Sequence, residues 1–246
     1  RIKVNHKRSE ISYQLQEGDL LELYINDEFF DETPQTAFLA APASLSIVYE
    51  DENLLLVNKP SGLIVHEDDE GTQDTLIHRI QHYLYEKGEY RPEQELSFAP
   101  ALCNRIDRNT CGIVIAAKNA ETLRILNEKI KHRELEKKYL CIVSGVPEPR
   151  DATKKAYLLK DGENNKVYLT SEPTPASKEI RTKYRVVAVQ GNYSLLEVEL
   201  LTGRTHQIRA HLAYLGHPIL GDTVYGAKKA VPGLQGQCLH AVGLRF

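Results

Sequence analysis

"CNRIDRNTCGIVIAAK", residues 103–118, sets one carboxylate, Asp107, between Arg105 and Arg108, then a Thr-Cys-Gly turn, then an unbroken apolar run. The run is short, β-branched and bounded by turn residues, which marks a buried strand. An acid at the mouth of such a strand has two readings. One is a salt-bridged surface turn. The other is a nucleophile or general base kept ionised by neighbouring positive charge. Structural ion pairs also perturb acids, so the string taken alone favours the surface turn.

Working outward, "LSIVYEDENLLLVNKPSGLIVH" (45–66) reads as strand, turn, strand, Pro-Ser-Gly turn, strand. "TQDTLIHRIQHYLYEKG" (72–88) reads as a helix with Leu76, Ile80, Tyr83 and Leu84 on one face and Gly88 at its stop. Asn119 is placed to cap a helix over "AETLRILNEKIKH" (120–132), with Leu123, Leu126 and Ile130 inward. "EKKYLCIVSG", "KVYLT", "KEIRTKYRVVAV" and "YSLLEVELL" are further strands. Runs of strands broken by a few helices imply an α+β fold, a mixed and mainly antiparallel sheet with flanking helices. Residues 1–32 form a small β-rich fragment, with "QEGDLLELYI" a turn and strand, and 33–44 a linker rich in proline and small residues. Thirty residues bury too little to persist alone, so segments upstream of Arg1 are expected to complete the fragment. Residues 45–246 make the main domain.

The 246 residues carry 41% hydrophobic and 26% charged side chains, the composition of a soluble globular protein. No apolar run reaches the length of a membrane span. Cys103, Cys111, Cys141 and Cys238 show no zinc spacing and fit a reducing, cytoplasmic setting. The net charge of −3 hides local bias. Four basic groups fall in the first eight residues, and seven Lys/Arg against four Glu between Lys118 and Tyr139. Paired charges on a solvated helix face explain the second cluster; a phosphate-binding patch explains both.

In "LLTGRTHQIRAHLAYLGHPILGD" (200–222), Thr205 is a natural N-cap, Ile208, Leu212 and Leu215 form an apolar stripe, and Gly216 with Pro218 ends the helix. Arg204 then stands just ahead of a helix start, a place that favours an anion. A metal reading would use His206, His211 and His217, but these spacings do not share a helical face, and no metal is expected.

Three stretches together, "VNKPSGLIVH", "NRIDRNTCGIVIAAK" and "LLTGRTHQIRAHLAYLGHPILGDTVYG", resemble the RluA family of pseudouridine synthases, and "EKKYLCIVSG" and "CLHAVGLRF" resemble that family's Lys-x-Tyr and final strands. Residues 1–32 resemble the second half of the small RNA-binding module of the fourth small-subunit ribosomal protein. The resemblance implies isomerisation of uridine to pseudouridine in structured RNA, with no cofactor, by a monomer. Ribosomal RNA is the expected substrate; transfer RNA, or RNA binding without catalysis on the same fold, are the alternatives. It puts the catalytic aspartate at Asp107, as nucleophile or base, the active-site tyrosine at Tyr139, and the aspartate's arginine partner at Arg204. Arg105 is implied to fill the gap left by a flipped-out base, and Lys59, His206, Gln207 and Arg209 to meet RNA. Asn104 and Cys111 stand where the family commonly has His, and Ser or Gly.

Overall fold

The computed structural model describes residues 2–10, 12–24, 36–68, 70–94, 98–162, 166–226, 233–234 and 236–245. The chain divides into two compact units, Arg1–Gln35 and Thr36–Phe246.

In the smaller unit, β1 (Ile2–Val4) pairs antiparallel with β2 (Lys7–Arg8) and β3 (Leu21–Leu23), in the order β2-β1-β3. Asp19 locks the chain before β3: its carboxylate accepts hydrogen bonds from Gln16 N, Asn5 Nδ2 and the Tyr13 hydroxyl. Val4 is buried, whereas Ile2, Leu20, Leu21, Leu23 and Tyr24 lie open. The unit has the β character expected of it and buries little apolar surface. Residues 25–35, which hold the end of the expected fragment and the start of the expected linker, lie outside the described residues.

The larger unit is built on one sheet. Its strands are β4 (Ile47–Glu50), β5 (Leu54–Lys59), β6 (Ala101–Leu102), β7 (Cys111–Ala117) and β8 (Glu136–Ser144). They continue with β9 (Asp151–Asp161), β10 (Lys166–Thr170), β11 (Lys178–Gln190), β12 (Tyr193–Leu200) and β13 (Leu239–Arg245). The spatial order is β10-β9-β11-β12-β8-β13-β7-β5-β4, with β6 also on β7. Every pairing is antiparallel except β13 with β7. The sheet is therefore mixed and mainly antiparallel, with helices α1 (Leu76–Glu86), α2 (Ala120–Lys131) and α3 (Gln207–Tyr214).

Strand alternation makes the core. Tyr139, Cys141 and Val143 of β8 point to one face with Leu196 and Val198 of β12, Leu55 and Val57 of β5, and the inner residues of α1 and α3. On the other face, Leu126 of α2 packs on Ile115 and Leu135. Both longer helices are capped by side chains: Thr75 Oγ1 accepts from His78 N, so α1 starts later than the expected 72, and Asn119 Oδ1 accepts from Thr122 N as the sequence indicates. Gly112 admits no side chain, because a Cβ there would collide with the Ala241 backbone of β13.

Four expectations change. The third strand expected before His66 is only an isolated bridge, Ile64 to Thr75, because the chain turns there to enter α1. Strand β9 escapes sequence reading because lysines 154, 155 and 160 interrupt its apolar set of Ala156 and Leu158. Residues 36–44, read as linker, belong to the larger unit, where Phe38 is 2% exposed and packs against His82, Tyr85 and Tyr90. Finally, α3 is capped by His206 in a left-handed conformation (φ 53°) and not by Thr205.

Three of the seven Lys/Arg of the basic cluster around α2 are paired with carboxylates. Lys129 meets Glu134, Lys131 and His132 meet Glu128, and Lys118 turns inward to Glu50 and Glu89. For these groups the solvated, paired helix face is the right reading, not a phosphate patch.

Candidate active site

Asp107 lies on the loop between β6 and β7, and that loop is fastened along its length. Asn104 is buried, and its Oδ1 accepts from Ile115 N of β7 at 2.8 Å. Ile106 is in the core. Thr110 N donates to the Asp107 carbonyl at 3.0 Å, and Gln237 Nε2 donates to Thr110 Oγ1 at 3.0 Å. From the other side, Lys59 at the end of β5 is 0% exposed and donates to the carbonyls of Pro60, Leu63 and Arg108. Burial pulls its pKa down to about 8, against the opposing influence of Cys111 and Asp107. Lys59 was expected to meet RNA. With three donors committed to carbonyl groups, it instead straps the Pro-Ser-Gly turn to the residue after Asp107.

Neither arginine beside Asp107 in sequence pairs with it. Arg108 is exposed and reaches Asp68 at 4.0 Å. Arg105 is exposed, as an arginine free to enter RNA must be. The partner comes from α3: Arg209 Nη1 donates to Asp107 Oδ2 at 2.9 Å, while its Nε and Nη2 donate to the two oxygens of Asp222 at 2.6 and 3.1 Å. Asp222 is 1% exposed and also accepts from Val224 N and Tyr225 N. The result is a fork in which one buried guanidinium is gripped by Asp222 and holds Asp107 by its remaining edge.

The expectation for Arg204 is thereby corrected. Its side chain is exposed, and no hydrogen bond or ion pair of it is found among the described residues. The left-handed turn at His206 separates the outward loop of Arg204 from the inward face that carries Arg209. Gln207, expected at the RNA, is 2% exposed and wholly engaged inside. Its Oε1 accepts from Thr202 Oγ1 and Arg204 N, and its Nε2 donates to Arg181 O and Thr182 Oγ1. Arg209 likewise faces carboxylates and not phosphate. The signal missed in the sequence was an arginine in the inward stripe of Ile208 and Leu212, where a charge persists only if paired. Arg204→Ala is accordingly expected to leave kcat within about twofold and to lower RNA affinity with a shallower salt dependence. A loss of kcat as deep as that of an Asp107 variant would return Arg204 to the reacting set.

Tyr139 is in register with Val198 of β12 and Ala241 of β13 and is 7% exposed. Burial, and secondly the charge of Asp107, push its pKa up to about 12, so at neutral pH it is an uncharged phenol. His206 closes the group, with Nε2 3.9 Å from Asp107 Oδ2 and Nδ1 2.9 Å from the Tyr225 hydroxyl. Burial holds His206 below the usual histidine value; the charges of Arg209 and Lys160 add to this, and Asp107 and Asp222 oppose it.

The model of one family, described as RNA pseudouridylate synthase, matches residues 53–214, a span that contains Asp107, Tyr139 and Arg209. The chain belongs to the RluA family of RNA pseudouridine synthases. These are isomerases of uridine in RNA. The chain is 34% identical over 199 residues to ribosomal large subunit pseudouridine synthase D of Borreliella burgdorferi, covering 80% of this chain and 60% of that one. With ribosomal large subunit pseudouridine synthase C of Vibrio cholerae it shares 32% over 255 residues, covering 100% of this chain and 76% of that one. Among solved structures, human RNA pseudouridylate synthase domain containing 4 superposes with a TM-score of 0.67 at 25% identity, over 85% of this chain and 87% of that one.

His211, on α3 two residues after Arg209, is 0% exposed. Its Nδ1 lies 2.9 Å from Thr182 Oγ1, and its Nε2 has no partner among the described residues. Burial, with Lys154 adding, lowers its pKa from 6.5 to about 4. The unfolded chain takes up this proton first, so the contribution is whole above pH 6.5 and drains as pH falls to 4. It amounts to about 3 kcal/mol. Chemical denaturation across that window should show a flatter stability profile for His211→Asn than for the parent; parallel profiles would remove His211 as a cause of acid lability.

Proposed function

We propose that the protein converts specific uridines of large-subunit ribosomal RNA to pseudouridine, with Asp107 acting on the sugar of a flipped-out nucleotide. The observation that carries this is the one-sided grip on the carboxylate. Arg209 bonds Oδ2, and no partner of Oδ1 is found among the described residues. One oxygen is fixed and the other is left to react, as nucleophile at the anomeric carbon or as base at the sugar. The bond from uracil N1 to the anomeric carbon breaks, the base turns, its C5 bonds to that carbon, C5 loses a proton and N1 gains one. No oxidant or energy source is needed to balance these steps.

Tyr139 supplies a ring wall for the uracil and a hydroxyl hydrogen bond. As an uncharged phenol in the free protein it stands by the base whose C5 proton must leave, and that proton passes to a base of the site or to water. Arg105, exposed two residues before Asp107, is suited to occupy the space left in the RNA stack. The ribosomal target is supported by the Borreliella and Vibrio relatives, which are large-subunit ribosomal synthases D and C. Residues 1–32 serve in this reading as part of a second RNA contact, and the enzyme works as a cytoplasmic monomer without a cofactor. Among the described residues no helix is long and apolar enough to cross a membrane.

The test is tritium release from C5-labelled uridine in large-subunit ribosomal and transfer RNA transcripts at matched salt. Release from the ribosomal transcript is expected. Efficient release from transfer RNA alone would overturn the substrate and leave the chemistry standing.

A further inference from the structure

The Tyr225 hydroxyl joins two partners: Val167 N donates to its oxygen at 3.0 Å, and its other neighbour is His206 Nδ1 at 2.9 Å. With a lone pair already taken by Val167, the phenolic proton has one acceptor among the described residues, His206 Nδ1. A ring nitrogen that accepts carries no proton, so the hydrogen of a neutral His206 sits on Nε2. That nitrogen lies 3.9 Å from Asp107 Oδ2, the same oxygen that Arg209 bonds. The Tyr225 ring further rests against both groups, 5.2 Å from the Arg209 guanidinium carbon and edge-on to the His206 ring at 5.7 Å.

We propose that Tyr225 is a positioning residue that sets the tautomer of His206, so that its Nε2–H faces Oδ2 of Asp107 from 3.9 Å, beside the Arg209 Nη1 hydrogen bond to the same oxygen, and leaves Oδ1 as the reacting oxygen. The proposal rests on Asp107 being the reacting carboxylate and adds which of its oxygens reacts and what enforces the choice. His206 thereby works on the carboxylate, not on RNA phosphate. His206 stands at the start of α3 in a left-handed conformation, with its ring near the Asp107 carboxylate. The arrangement is distributed over three parts of the chain: β10 orients Tyr225, Tyr225 orients His206, and His206 with Arg209 orients Asp107.

Tyr225→Phe is the discriminating variant, because it keeps the ring against Arg209 and deletes only the hydroxyl. The expected result is a fall in kcat of about tenfold, the scale of one lost positioning hydrogen bond, with KM little changed. The second readout is the imidazole nitrogen spectrum of His206, which reports the tautomer by the separate shifts of its two nitrogens. The parent should show the proton on Nε2, and Tyr225→Phe a mixture of both forms. A parent protein with the proton on Nδ1 overturns the proposal, as does a Phe variant whose tautomer or kcat matches the parent. The spectrum needs no RNA, so it decides the Tyr225–His206 link even if the chosen substrate proves wrong. Failure of every RNA with a normal spectrum would instead strike the functional reading.

Discussion

Asp107→Asn is expected to reduce the rate of pseudouridine formation about 10⁴-fold or more while the protein still folds and binds RNA. The amide keeps the shape of the carboxylate and can still accept from Arg209 Nη1, and Arg209 keeps its grip on Asp222. What disappears is the negative charge and the nucleophilic or basic oxygen. The stability cost should be about 1 kcal/mol, since one charge-assisted hydrogen bond becomes a neutral one. Turnover within tenfold of the parent, measured by tritium release under single-turnover conditions, would remove Asp107 from the chemistry.

Arg209→Met should have the second-largest effect, and on two quantities together. Its guanidinium is the partner of Asp222, which is 1% exposed, so its loss strands a buried charge. Breaking a buried pair from one side costs about 3–5 kcal/mol, enough to lower the melting temperature well beyond the Asp107→Asn change. Activity should fall in parallel because nothing then fixes Asp107 Oδ2. Arg209→Lys separates the two effects. A single ammonium retains charge for Asp222 but cannot fork to both carboxylates, so stability should recover in part while kcat stays about 10²-fold down. Equal recovery of both would reduce Arg209 to a structural residue.

The sequence made the architecture legible where patterns are local. Alternation in "YSLLEVELL", the cap at Asn119 and the apolar stripes of α1 and α2 rest on period and end chemistry, which a single chain displays. Strand β9 was hidden because Lys154 and Lys160 share the face of Ala156 and Leu158 and break the apolar alternation that marks a strand. The site was legible in part for the same reason. Asp107, flanked by turn residues before a buried strand, is recognisable as unusual. The arginine that holds it is not, because the contact joins positions 102 residues apart. Arg204 had the stronger local argument, a basic group before a helix, and yet the left-handed residue at His206 changes which side chains face inward. Lys59 and Gln207 show the complementary failure. Polar side chains within a motif look like ligand contacts, whereas the fold uses both to satisfy backbone groups that would otherwise be buried unpaired.

The most direct measurement is a structure of the Asp107→Asn protein bound to a ribosomal RNA fragment that the parent enzyme modifies. The target uridine should be flipped out of its helix, with its anomeric carbon about 3–3.5 Å from the side chain of residue 107 and its base against Tyr139. A uridine still stacked in the RNA, or seated beyond reach of residue 107, would contradict the assignment of Asp107 as the group that acts on the sugar.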